Sequence, residues 1–130
     1  MPSRKIPLVN QEYYHVFNRG FNKKVIFKNE KDYHRAIETI QYYQFITPSF
    51  KFSYLNRITP KQKKKLLDQL VNTQVSILAY CLMPNHFHFL IKQEKNNGIL
   101  NTISKFSNSY SKYFNTIHEK AGPVFEGRFK

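Results

Sequence analysis

The stretch Met83-Pro84-Asn85-His86-Phe87-His88-Phe89-Leu90-Ile91-Lys92-Gln93 decides the reading of this chain. From His86 onward it alternates and is rich in aromatic residues, the pattern of a half-buried strand. Successive side chains on a strand point to opposite faces. His86 and His88 therefore project together, about 7 Å apart at Cα, while Phe87, Phe89 and Ile91 project into a core. Two imidazoles at that spacing can share one divalent cation and leave positions open for a substrate oxygen. The plainer alternative is two unrelated histidines on a half-buried strand.

Upstream, Thr73 to Leu82 (TQVSILAYCL) is a second strand, broken by Met83-Pro84-Asn85. That break makes the two strands antiparallel partners. Cys81, the single cysteine, is expected to be a buried small hydrophobe, since it has no partner for a disulfide or a thiolate zinc site. Near the N-terminus, Glu12 to Arg19 (EYYHVFNR) reads as a strand ended by Gly20. Asn29 can cap a helix with Asp32 in its first turn. Tyr33, Ile37, Ile40 and Gln44, flanked by Ala36 and Tyr43, follow helical spacing, and Pro48 closes that helix.

Phe50 to Leu55 (FKFSYL) alternates and is expected to be a short strand or part of a loop. Thr59-Pro60 opens another helix with a cap and an N1 proline. Leu66, Leu67, Leu70 and Val71 give it an apolar face. Lys61, Lys63, Lys64 and Lys65 lie opposite, either as a solvated face or as nucleic-acid contacts. Lys95-Asn96-Asn97-Gly98 is a loop. In the last helix Ile99, Ile103, Phe106, Tyr110, Tyr113 and Ile117 step by alternating four and three, with Leu100 and Phe114 widening the stripe. Gly122-Pro123 stops it, and Val124 to Lys130 reads as a final short strand or extended tail. Setting aside the stretch at about 48–72, the order is β-α-β-β-α-β. This predicts an α+β, ferredoxin-like fold, with an antiparallel sheet, both helices on one face and the histidine pair on the open face.

A chain of 130 residues suits one domain with one core. Its formal charge of +13, from 21 Lys and Arg against 8 Asp and Glu, points to a polyanion, nucleic acid first and an anionic membrane second. Aromatics make up 16% of the residues, and several tyrosines sit among Lys, Asn and Gln, which suits base stacking as well as core packing. No apolar run is long enough to span a membrane, and Met1-Pro2-Ser3-Arg4-Lys5 precedes no signal core, so the expected location is cytoplasmic.

Three motifs together resemble the single-tyrosine HUH transposases, particularly those associated with repetitive extragenic palindromes. Tyr14-His15-Val16-Phe17-Asn18-Arg19-Gly20 is similar to their opening strand. Met83 to Leu90 resembles their metal-binding strand. Ser109 to Asn115, followed by Gly122 to Lys130, is similar to their next helix and strand. The agreement runs from about residue 12 to the end, apart from a lysine-rich insertion at about 48–72.

The resemblance implies a single-stranded-DNA endonuclease and strand transferase. His86 and His88 would hold Mg²⁺ or Mn²⁺, and a tyrosine hydroxyl would attack the scissile phosphate. A weak phenol nucleophile needs an activated phosphorus, which a Lewis acid supplies. In the family the nucleophilic tyrosine and a third metal ligand lie on a further helix, expected to be missing from this chain. Tyr110 is the runner-up nucleophile, but its apolar stripe predicts core packing. Asn18, Arg19, Lys23, Lys24, Arg128 and Lys130, at strand ends within two of the motifs, are the candidate DNA contacts. The expected partner is single-stranded or hairpin DNA, bound by a monomer or homodimer. The competing reading is a non-catalytic nucleic-acid-binding module of the same fold. A zinc hydrolase fits poorly, since there is no His-Glu-x-x-His.

Overall fold

The computed structural model describes residues 7–46 and 51–130. Three strands, β1 (Tyr13–Arg19), β2 (Val75–Met83) and β3 (His86–Gln93), form an antiparallel sheet in the order β1-β3-β2. The tail continues that order at the outer edge of β1. Gly20 bridges Phe125, the Glu126 N–H donates to the Arg19 carbonyl, and Phe17 and Lys130 exchange backbone bonds. The tail thus occupies the place of the fourth strand of the expected α+β, ferredoxin-like sheet.

Among the described residues four α-helices accompany the strands: α1 (Glu30–Tyr43), α2 (Phe52–Leu55), α3 (Pro60–Asp68) and α4 (Gly98–Ile117), with a short 3-10 turn at Phe21–Lys23. The side chain of Asn29 caps α1 by accepting the Asp32 N–H at 3.0 Å. At the other end of α1, the Tyr43 carbonyl, left free by the helix, accepts from the Gln74 amide and the Thr102 hydroxyl. These bonds fix α1 to β2 and α4. Thr59 and Gln62 form a reciprocal capping box on α3, with Pro60 at its first position. Pro48, expected to close α1, lies outside the described residues.

Alternation places Val16, Phe87, Phe89 and Ile91 on one face of the sheet, where Ala36 and Ile40 of α1 and Ile99, Ile103, Phe106 and Tyr110 of α4 meet them. The Phe106 ring stands edge-on to Phe87 and Phe89 at 5.5 and 5.6 Å between centroids. Edge-to-face packing adds to area burial, so removing this ring would cost about 3–5 kcal/mol. Gly98 starts α4 hard against β2. A Cβ there would meet the Gln74 carbonyl oxygen at 2.2 Å, so only glycine permits this approach.

Two local expectations change. The described part of the Phe50–Leu55 stretch is helical, not extended. Phe52 and Leu55 are three apart, so one helical turn buries both, whereas a strand would point them to opposite sides. They join Tyr42 and Tyr43 in a second, smaller cluster that Ile58, Leu66 and Leu70 complete. Cys81 is exposed, not buried. It lies on the edge strand β2, opposite His88, on the face that no helix covers.

Candidate metal centre and nucleic-acid face

The open face is built from the outward residues of β1 and β3. Tyr13, His15, Phe17 and Arg19 alternate outward along β1. In the register, Phe17 pairs with His88 and Arg19 with His86. On the other side, Cys81 and Met83 of β2 stand opposite the same two histidines. The Ile77/Ala79 irregularity in β2 sets that phase.

The hairpin turn before His86 is held by backbone bonds. The Gly20 N–H donates to the Asn85 carbonyl at 2.8 Å, and the Ile26 N–H to the Pro84 carbonyl at 2.7 Å. Asn85 is thereby fixed beside His86, and its Oδ1 lies 2.7 Å from His86 Nδ1. An amide oxygen only accepts, so His86 carries its proton on Nδ1 and keeps the Nε2 lone pair free. His88 is held in a comparable way. Its Nδ1 lies 2.7 Å from Nε2 of His15, with the two rings stacked at 4.9 Å and 16°. His86 and His88 stand edge-on, 5.0 Å between ring centroids.

Burial pushes the His88 imidazole below its ordinary pKa, and the neighbouring His15 and His86 push in the same direction. Neutral imidazole is the metal-binding form, so the surroundings of His88 favour that state. The donor set is lean. Among the described residues no group of three or more His, Cys, Asp or Glu side chains could hold a metal ion. His15 spends its Nε2 on His88 and serves as an outer partner. Among the described residues neither His86 nor His88 has a hydrogen bond at Nε2, and the chemistry of two adjacent imidazoles suits a divalent cation whose remaining positions take oxygen.

Nothing in the sequence marks His15 as a partner of His88. The cross-strand register that sets it beside His88 is a tertiary fact, and only its place two residues before Phe17, on the same strand face, hinted at it.

The expected DNA contacts divide. Arg19 is exposed on the histidine face, and Lys23 and Lys24 follow it in an exposed turn. Arg128 and Lys130 are exposed on the tail that borders β1. Asn18 does not stand with them. It points to the helix side, is 5% exposed, and its amide donates to the Gly127 carbonyl at 3.2 Å, tying down the tail. Strand parity explains this, because its neighbours Phe17 and Arg19 take the open face. Tyr110 is fully buried on α4, across the sheet from the histidines, and its hydroxyl donates to the Ile26 carbonyl. Burial pushes its phenol pKa far up, with Asp32 adding to the effect.

Over residues 36–129 the sequence matches the family described as "Transposase IS200 like". The chain belongs to that IS200-like transposase family. The resemblance read from the motifs is thus confirmed at the family level, although the match begins after β1. No curated protein matches the chain significantly. Two solved structures share its fold along its full length. One is a REP-associated tyrosine transposase bound to a REP hairpin, with a TM-score of 0.51 and 12% identity. The chain covers 60% of that protein. The other is a candidate transposase from Deinococcus radiodurans R1, with a TM-score of 0.55 and 9% identity, of which the chain covers 82%. Among the described residues no helix is long and apolar enough to cross a membrane.

Proposed function

We propose that this IS200-like transposase domain handles single-stranded or hairpin DNA in the cytoplasm, as a metal-dependent strand transferase. The observation that carries the reading is the placement of His86 and His88 side by side on an open, basic sheet face, with Nδ1 of each in a 2.7 Å contact, to Asn85 and to His15. His86 and His88 would hold Mg²⁺ or Mn²⁺, which when bound supplies Lewis-acid polarisation of a DNA phosphate. Imidazole pairs suit Mn²⁺ better than Mg²⁺, which prefers oxygen ligands in a near-ideal octahedron.

The remaining roles fall to this chain's own side chains. Arg19, beside His86, neutralises the incoming phosphate, with Lys23, Lys24, Arg128 and Lys130 along the same border. Exposed Tyr13 and Phe17 offer rings to unpaired bases. Tyr110 is not the nucleophile in this reading, because its hydroxyl is buried and committed to Ile26.

Calorimetric titration with Mn²⁺ tests the anchor. The protein should give a weak one-site isotherm that His86→Ala, His88→Ala removes. Equal heats from the two proteins would overturn the metal half of the reading.

A further inference from the structure

The far side of the helix layer carries a second basic surface. A groove of about 950 Å³ opens between α1, the α2 segment and α4. Its described lining includes five cationic side chains, Arg35, Lys51, Arg57, Lys105 and Lys112, and no carboxylate. Among the described residues none of the five forms an ion pair. Glu38 acts on Arg35 only from a distance. Arg35 forms the floor, its guanidinium 5.0 Å from the Phe52 ring centre and 4.8 Å from that of Tyr113. Its buried Nε has no hydrogen-bond partner among the described residues. A guanidinium set between rings, with no ion pair among the described residues, keeps a positive field in the groove that the low-dielectric walls strengthen.

We propose that this helix-side groove is a second DNA site, one that grips the phosphate backbone of a duplex stem. The proposal rests on the nucleic-acid reading above but concerns a different face. Lys105, Ser109, Lys112 and Thr116 recur every three or four residues along α4, a polar stripe of about 16 Å at 1.5 Å per residue. Laid along a duplex axis, where one strand presents a phosphate every 3.4 Å of rise, that length corresponds to about five phosphates.

The chemistry favours backbone over bases. The tyrosines in the groove are already committed: Tyr113 donates to Asp32 and lies against Arg35, and the Tyr43 hydroxyl accepts the Phe52 N–H. No free ring in the described lining is available for stacking, unlike the open sheet face. The α2 segment walls the groove with Lys51, Ser53 and Arg57, which gives the lysine-rich insertion a role.

Fluorescence anisotropy with two labelled probes tests this: a DNA hairpin with a single-stranded flank, and the flank alone. The groove variant is Arg57→Gln, Lys105→Gln, Lys112→Gln, all exposed positions. The control is Lys61→Gln, Lys64→Gln, Lys65→Gln, which removes the same charge from α3 outside the groove. The groove variant should bind the hairpin about tenfold more weakly, and its salt slope should fall by about two to three. The control should stay within about threefold, and neither variant should lose much affinity for the flank. Equal losses in both variants, or none in the groove variant while the unaltered protein binds, would overturn the groove alone. If the unaltered protein binds neither probe, the nucleic-acid reading falls and takes the groove with it. Matching thermal melts establish that each variant is folded.

Discussion

His15 and His88 face each other across adjacent strands, Nε2 to Nδ1 at 2.7 Å, in stacked rings. Where His88 is the donor of that contact, its proton sits on Nδ1 and its Nε2 is left to bind a metal. Outer partners of this kind orient a ligand and raise its basicity, and their loss weakens metal binding by about 10- to 100-fold. We therefore expect His15→Ala to lower Mn²⁺ affinity by about tenfold while the fold survives, because His15 is exposed. Calorimetry reads the affinity, and ¹⁵N spectra of the imidazoles read the tautomer. Unchanged affinity with an unchanged His88 tautomer would remove His15 from the site.

Asp32 is a buried junction. One oxygen accepts from the Tyr113 hydroxyl, and the other from the Lys28 N–H and from His118 Nε2. Asp32→Ala strands three donors in one place, so the expected loss is about 3 kcal/mol or more. Urea denaturation measures it. A loss under about 1 kcal/mol would mean that water or a rearranged side chain replaces the carboxylate.

Tyr113 supplies a pH dependence. Burial, followed by its hydrogen bond to Asp32, raises its phenol pKa to about 12 from the ordinary 10. A raised folded pKa means that the unfolded chain releases this proton first. The contribution of Tyr113 to stability is therefore complete below about pH 10 and is lost as pH climbs toward 12. Melting temperature should fall over that interval, and less so in Tyr113→Phe. An identical alkaline profile in the variant would exclude Tyr113 as the cause.

Tyr110→Phe keeps the ring and deletes one buried hydroxyl bond, so the cost should be about 1 kcal/mol. Metal and DNA binding should not change. A covalent protein–DNA band on a denaturing gel with Mn²⁺ that vanishes in this variant would make Tyr110 a nucleophile after all.

Much of the fold was legible because alternation and helical spacing are local. The His86–Gln93 strand fixed the histidine face by parity, and the α4 stripe placed Tyr110 in the core. What escaped depended on neighbours. Cys81 looked buried because its strand is apolar, yet an edge strand on an uncovered face leaves it in solvent. Asn18 shares its motif with Arg19, yet one step along a strand turns its side chain to the other face. The Phe50–Leu55 run is too short for its alternation to decide the period, and joint burial of Phe52 and Leu55 requires the helical turn. Arg35 carries no signal of its own in the sequence, because its setting between the Phe52 and Tyr113 rings is made by other segments.

The small cluster of Tyr42, Tyr43, Phe52 and Leu55 is separate from the core beneath the sheet. α3, which leans on its edge, contains no fully buried residue. So little apolar contact cannot match the opening free energy of the main core. The domain should therefore exchange its amide hydrogens in two tiers. The α2–α3 amides would exchange through frequent partial openings, while those of β3 and α4 wait for global unfolding. A protease working on the native protein would first find purchase in α2–α3 and leave a nicked core of two pieces in which His15 and His88 still face each other.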